Sequence, residues 1–232
     1  MLIIPDVHGR EFWRDPIKNY PDEEIIFLGD YLDPYSEEEI TPEDAIKVFW
    51  DILELKKENP ERVTLLLGNH DLMYISGPFR IKPSRHDWMH DSEIYKLFSD
   101  NLGSFSLVAS RGDYVFSHAG VHPRWLERHP ELKVGDDTIE ILNQKLWDPL
   151  FMMSLSEYSW YRGGDLDCSI GSPVWSDVRE WVNNPPELKE GITQIFGHTQ
   201  LKEGKIIERP GYACIDCKRV VRIDENNKLK VL

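Results

Sequence analysis

The sequence predicts an α/β protein in which two β-sheets pack together with helices outside, and three observations predict it. Short aliphatic runs alternate with a strong helical pattern in the first third, the arrangement of a βαβ unit. Brief apolar runs separated by tight turns return at the end and suggest antiparallel strands. The chain of 232 residues is also long enough to bury about 70% or more of the surface its unfolded form would expose.

Leu2–Ile4, Ile25–Leu28 and Val63–Leu67 read as buried strands because each is short, aliphatic and stopped by Gly or Pro. Between the last two lies a helix. Thr41 suits its N-cap, Pro42 the first helical position, and Glu43 and Asp44 the positive end of the dipole; Asn59 and Pro60 stop it. Ile46, Phe49, Trp50 and Leu53 recur at helical spacing and predict one buried face. The segment from Met73 to Asp100 reads as a long loop followed by a helix near Glu93 to Phe98. Phe105–Ala109 and Tyr114–Ser117 read as a hairpin around Gly112, and Trp125 to Asn184 as an irregular stretch. Strands follow at Thr193–Phe196, Ile206–Glu208, Tyr212–Ile215, Val220–Ile223 and Leu229–Leu232. No repeat or linker interrupts them, so one domain over residues 1–232 is expected.

Hydrophobic residues at 41% and charged residues at 29% make the chain too apolar for disorder. A net charge of −14 repels nucleic-acid phosphates, so no nucleic-acid polymer is expected as partner. No apolar run reaches the roughly 18 residues of a membrane helix, and no leader is visible. Three cysteines form no disulfide framework, which favours a reducing, cytoplasmic setting. Cys214 and Cys217 form a C-x-x-C without the second pair a zinc site needs, so they read as buried thiols.

Metal-ligand residue types follow the expected strands with unusual regularity. Asp6 and His8 come after the first, Asp30 and Asp33 after the second, Asn69, His70 and Asp71 after the third, His118 after the hairpin and His198 after a later strand. Ligands favour the carboxyl ends of strands in α/β sheets, where the backbones diverge. Each piece alone is a common turn or a core histidine, but the set points to one kind of chemistry. The pair His86 and His90 has the i, i+4 spacing of a helical zinc site, yet lacks the Glu base and a third ligand, and reads instead as a lid or substrate-facing loop.

The ordered motifs P-D-V-H-G, G-D-Y-L-D, L-L-L-G-N-H-D, S-H-A-G and F-G-H-T, from Asp6 to His198, resemble the signature of the calcineurin-like metallophosphoesterases. The likeness is nearest the phosphoprotein phosphatase branch and its bacterial relatives. The resemblance implies an αββα fold, a β-sandwich of two mixed sheets flanked by helices, with two metal ions at the sheet ends. Carried over by matching position, it gives one metal to Asp6, His8 and Asp30, and the other to Asp30, Asn69, His118 and His198, with Asp30 bridging. Mixed oxygen and nitrogen donors suit Mn, Fe or Zn.

The metal pair would acidify a shared water, which attacks phosphorus in line with the leaving oxygen. His70, next to Asn69, is the expected general acid, and Asp33 the residue that hydrogen-bonds its ring. The sequence departs from the phosphatase branch in two places. That branch reads G-D-x-V-D-R-G where this chain has Pro34 and Tyr35, and it carries Arg before G-N-H-E where this chain has Leu67 and ends in Asp71. The grip on phosphate is therefore expected from Arg162, beside two glycines, or from Arg10 and Arg179. Pro173 to Asp177 resembles the L-W-S-D stretch of the same branch.

The expected function is hydrolysis of phosphate monoesters, on phosphoserine or phosphothreonine proteins or a small phosphorylated metabolite. An alternative is a nucleotide or dinucleoside polyphosphate phosphohydrolase or phosphodiesterase with the same metal pair, its base stacked on aromatics such as Trp88, Trp160 and Tyr161. A catalytically silent binding scaffold ranks below both, because every ligand position, Asp33 and His70 are present.

Overall fold

A computed structural model describes residues 1–76, 85–132, 137–164, 170–182 and 188–232. The chain divides into two compact units, Met1–Phe105 with Cys217–Leu232, and Ser106–Asp216.

The first unit opens with β1 (Leu2–Ile4), α1 (Arg14–Asn19), β2 (Ile25–Phe27), α2 (Pro42–Glu58) and β3 (Val63–Leu66). The three strands are parallel, and their side chains, Thr64 apart, are buried on both faces, which is why they read as unbroken aliphatic runs. Helix α2 starts where its sequence directs: the Thr41 hydroxyl accepts the Asp44 N–H at 3.1 Å, and Asn59 closes the other end. Its inward face is Ala45, Ile46, Val48, Phe49, Ile52 and Leu53. Trp50, expected on that face, is 50% exposed because a stripe through 46, 49 and 53 turns position 50 toward its rim. Phe49 stacks on Tyr31 at 5.0 Å and meets Phe98 at 4.7 Å, joining α2 to the rest of the core.

Short helix α3 (Asn69–Ile75) follows β3 directly, and α4 (Asp91–Asp100) precedes β4 (Phe105–Ser106). The expected helix near Glu93–Phe98 is thus present and longer. The expected strand Phe105–Ala109 is divided: its first residues extend the first sheet, and β5 (Val108–Arg111) begins the second. With β6 (Tyr114–Ser117), β5 forms the expected hairpin, in register from Val108↔Ser117 to Arg111↔Tyr114, with Gly112 turning at φ 56°.

The stretch after Trp125 is less irregular than its composition suggested. It carries α5 (Pro123–Arg128), α6 (Thr138–Lys145) and α7 (Pro149–Ser154), and Pro at the first turn of α5 and α7 marks a helix start rather than a break. The second unit continues with β7 (Thr193–Phe196), β8 (Ile207–Arg209) and β9 (Tyr212–Cys214), and β10 (Val221–Ile223) and β11 (Leu229–Val231) end the chain.

Among the described residues the first sheet has order β11-β10-β1-β2-β3-β4 and the second β5-β6-β7-β9-β8. Both are mixed. The late strands are not simply antiparallel, as expected: β7 is parallel to β6 and to β9, while β10 returns to the first sheet antiparallel to β1. Consecutive short runs give no hint of such a crossover. In the second unit Val178, Trp181, Phe196, Tyr212 and Cys214 form one core cluster. Cys214 and Cys217 are buried thiols, as expected, and Cys168 lies outside the described residues. No helix among the described residues is long and apolar enough to cross a membrane.

Candidate metal and catalytic site

In the first unit the loops after β1 and β2 carry Asp6 and His8, and Asp30 and Asp33, and the first turn of α3 after β3 carries Asn69 and His70, all buried. His8, Asp30 and Asp33 sit at φ 46°, 52° and 59°, a region that L residues occupy at a cost, so their side chains are aimed by strained backbone. Gly68 must lack a side chain, since a Cβ there would stand 2.1 Å from an Asp30 carboxylate oxygen. The carboxylate of Asp71 accepts the N–H groups of Asp30 at 2.7 Å, Tyr31 at 3.1 Å and Gly68 at 2.8 Å. Asp71 therefore ties the second loop to the third and braces Asp30.

Asp6, His8 and Asp30 each offer a donor atom, and these atoms lie within 4.8 Å of one another. His8 Nδ1 stands 2.8 Å from the Leu32 carbonyl oxygen, which only accepts, so Nδ1 carries the ring proton and Nε2 presents its lone pair. That Nε2 is 3.6 Å from Asp30 and 4.0 Å from Asp6. Burial holds the His8 ring well below the usual histidine range, helped by the positive charges of His70, Arg85 and Arg10. Burial likewise pushes the Asp30 carboxyl well up, reinforced by the charges of Asp6 and Asp71 against the pull of His70. A neutral imidazole beside two buried carboxyls is a donor set that fits a divalent cation, which would offset the carboxylate charge.

His70 opens α3, and its N–H donates to Asp30 Oδ1 at 3.0 Å. Its Nδ1 lies 2.6 Å from Asp33 Oδ2, and the Tyr74 hydroxyl donates to the other Asp33 oxygen. Burial and the Asp33 charge push the Tyr74 hydroxyl well above its ordinary range, so it stays a donor. The His70 ring meets that of His8 edge to face at 5.3 Å. The sequence reading missed Tyr74, although its place one helical turn after His70 on α3 was a usable signal.

In the second unit His118 follows β6 and His198 follows β7, neighbouring parallel strands whose carboxyl ends coincide. His118 Nε2 and His198 Nδ1 are 3.1 Å apart, and the Gly197 N–H holds the two loops together through the His118 carbonyl at 2.7 Å. Two nitrogens bonded at about 2.1 Å to one cation stand about 3.0 Å apart at a right angle and about 3.4 Å apart at the tetrahedral angle, so this pair fits one small cation. His198 adopts φ 62°, another left-handed position.

The three arginines singled out in the sequence are engaged. Arg162 and Arg179 both pair with Asp177, at 2.8 and 2.7 Å, and Arg162 also donates to the His198 carbonyl at 3.2 Å. Against burial, which works the other way, Arg179 and Arg162 hold the Asp177 carboxyl below its usual range. Arg10 donates to Glu38 at 2.7 Å and to the Asp6 carbonyl at 3.1 Å. His86 and His90 do not form a helical pair, because α4 begins only after His90; each ring instead faces a carboxylate, Asp91 at 2.8 Å and Asp87 at 2.7 Å.

Two mixed sheets flanked by helices, with Asp, Asn and His delivered after parallel strands, define the metallophosphoesterase class. The sequence model of the calcineurin-like phosphoesterases matches residues 2–202, and the chain belongs to that family. It is thus a hydrolase acting on phosphate esters. Among solved structures it is similar to a cold-active protein-tyrosine phosphatase of the psychrophile Shewanella sp., at 15% identity and TM-score 0.62, over 100% of this chain and 79% of that one. A 1.1 Å structure of a cold-active protein tyrosine phosphatase gives 16% identity and TM-score 0.64, covering 100% and 78%. A protein serine/threonine phosphatase from Saccharomyces cerevisiae, described as similar to human phosphatase PP5, gives 16% and 0.56 with coverage of 100% and 78%. At these identities the likeness is one of fold.

Proposed function

We propose that the protein is a metal-dependent phosphatase of phosphate monoesters, with His70 as general acid. The observation that carries the reading is the chain Tyr74 to Asp33 to His70, which ends in an imidazole 5.3 Å from the ring of the metal-ligand candidate His8. Asp6, His8 and Asp30 would hold one ion, and the family pattern gives a second to Asp30, Asn69, His118 and His198. Mn, Fe and Zn all suit such donors. When bound, the ions supply an acidified water as nucleophile.

The chain's own residues do the rest. Asp33 accepts the Nδ1 proton of His70, so the opposite nitrogen is the one that gives a proton to the departing alkoxide. Tyr74 fixes the Asp33 carboxylate and thereby the plane of the ring. Arg162, which touches the backbone of His198, and Arg10, which touches the backbone of Asp6, are the sequence-derived arginines best placed to approach a bound phosphate, while Arg179 contributes charge at longer range. Phosphorylated protein and small phosphorylated metabolite are both substrates of the right class, in a cytoplasmic setting.

With Mn present, the protein is expected to turn over 4-nitrophenyl phosphate in preference to its bis ester and to dinucleoside polyphosphates. His70→Asn should keep bound metal, measured by elemental analysis, and lower kcat by about a hundredfold or more. Preference for the diester would favour the phosphodiesterase reading, and unchanged turnover in the variant would remove His70 as the acid.

A further inference from the structure

The structure offers a phosphate-gripping arginine that the motifs do not. We infer that Arg85, resting on the Tyr35 ring, holds the phosphoryl group beside His70 and takes the place of the arginines this chain lacks. The inference rests on the phosphatase reading above.

Three observations within the first unit carry it. The Arg85 guanidinium carbon lies 3.5 Å from the centre of the Tyr35 ring, a close cation–π contact that holds the fork in place. Tyr35 in turn stands edge-on to His8 at 5.1 Å, so the platform is built against a metal-ligand candidate. Tyr35 occupies the loop position directly after Pro34, in the pair that stands where the resembling branch reads Arg-Gly. Pro34 stands at the arginine position and Tyr35 at the glycine position, so the loop that lacks the arginine carries the ring on which Arg85 rests.

The second observation is the hydrogen bonding. Arg85 Nη2 is 3.4 Å from His70 Nε2, the nitrogen left free by the Asp33 bond. Arg85 Nη1 is buried and has no hydrogen-bond partner among the described residues. A guanidinium nitrogen only donates, so Nη1 calls for an acceptor that the described residues do not supply. A phosphate group is such an acceptor. One phosphoryl oxygen can accept from Arg85 Nη2 next to the leaving oxygen that His70 protonates, while Nη1 takes a second oxygen in the bidentate manner of guanidinium.

The third observation is space. Arg85, Tyr35, Asp33 and Tyr74 line a cavity of about 420 Å³, so the guanidinium borders open space. Arg162 and Arg179, by contrast, already share the Asp177 carboxylate.

The test compares the full-length parent with Arg85→Ala and Arg85→Lys, all loaded with Mn and checked for metal content and circular dichroism. Two quantities are read: the Kd of inorganic phosphate by calorimetry, and kcat/KM for 4-nitrophenyl phosphate. In Arg85→Ala the phosphate Kd should rise at least about tenfold and kcat/KM fall about a hundredfold at unchanged metal content, as for loss of one oxyanion donor. Arg85→Lys should recover part of the phosphate affinity but not the bidentate grip. Phosphate binding and turnover in Arg85→Ala within about twofold of the parent would overturn the assignment; should that variant fail to fold, parental values in Arg85→Lys would do so. If the parent itself hydrolyses no monoester, the phosphatase reading fails while the phosphate affinities still decide the role of Arg85.

Discussion

Asp71 in the first unit and Asp177 in the second are both fully buried carboxylates, and they are satisfied by opposite means. Asp71 receives three backbone N–H groups, from Asp30, Tyr31 and Gly68. Asp177 receives mainly guanidinium groups, from Arg162 and Arg179, together with the Arg179 N–H at 3.0 Å. The first use of a carboxylate shapes the chain, tying the loop after β2, where Asp30 and Asp33 sit in left-handed conformations, to the loop after β3. The second places cations. Buried backbone N–H groups are left without that acceptor when the carboxylate is removed, whereas arginines with 31% and 53% of their side chains exposed can return to water.

The largest expected effect tests that asymmetry. Asp71→Ala leaves three buried N–H groups unpaired, each worth about 1–3 kcal/mol, so the loss is expected to exceed about 3 kcal/mol. Urea unfolding followed by circular dichroism measures it. Asp177→Asn keeps an acceptor oxygen and releases partly exposed cations, so its cost should be smaller, about 2 kcal/mol. Equal losses in the two variants would show that backbone bracing and ion pairing are interchangeable here.

This contrast also separates what was legible in the sequence from what was not. Parallel strands β1, β2 and β3 and helix α2 were readable because each has a local signature, aliphatic runs closed by Gly or Pro and a Thr-Pro-Glu start. The loop residues Asp6, His8, Asp30, Asn69, His118 and His198 stood out because they follow strands. Asp71 was visible as part of the same run, but its role was not, since its three partners include two residues forty positions away in sequence. Arg85 gave no signal at all. It follows a segment of weak periodicity, and its contacts with Tyr35 and His70 are set by the tertiary fold. Local rules reveal which residues a loop carries, and only long-range packing reveals which of them hold backbone and which meet a ligand.

The smallest effect extends the comparison to a buried base. His122 in the second unit is 1% exposed, its Nδ1 accepts the Arg124 N–H at 3.2 Å, and Trp181 packs edge-on against its ring at 4.9 Å. Where Asp177 keeps its charge by meeting arginines, His122 avoids charge: burial pushes it down from 6.5 to about 4, against the pull of the Glu180 backbone and with Arg124 and Arg128 acting in the same direction as burial. A folded-state value below the unfolded one means the unfolded chain binds the extra proton. Stability from this group is therefore complete above pH 6.5 and is lost as pH falls toward 4. The loss between pH 7 and pH 5.5 should be about 1 kcal/mol. His122→Gln, which cannot take up that proton, should flatten this part of the Tm-against-pH curve relative to the parent, whatever it does to Tm at neutral pH. Parallel curves for the two proteins would mean that the ring is protonated inside the fold, and that the second unit tolerates buried positive charge as readily as it does the negative charge of Asp177.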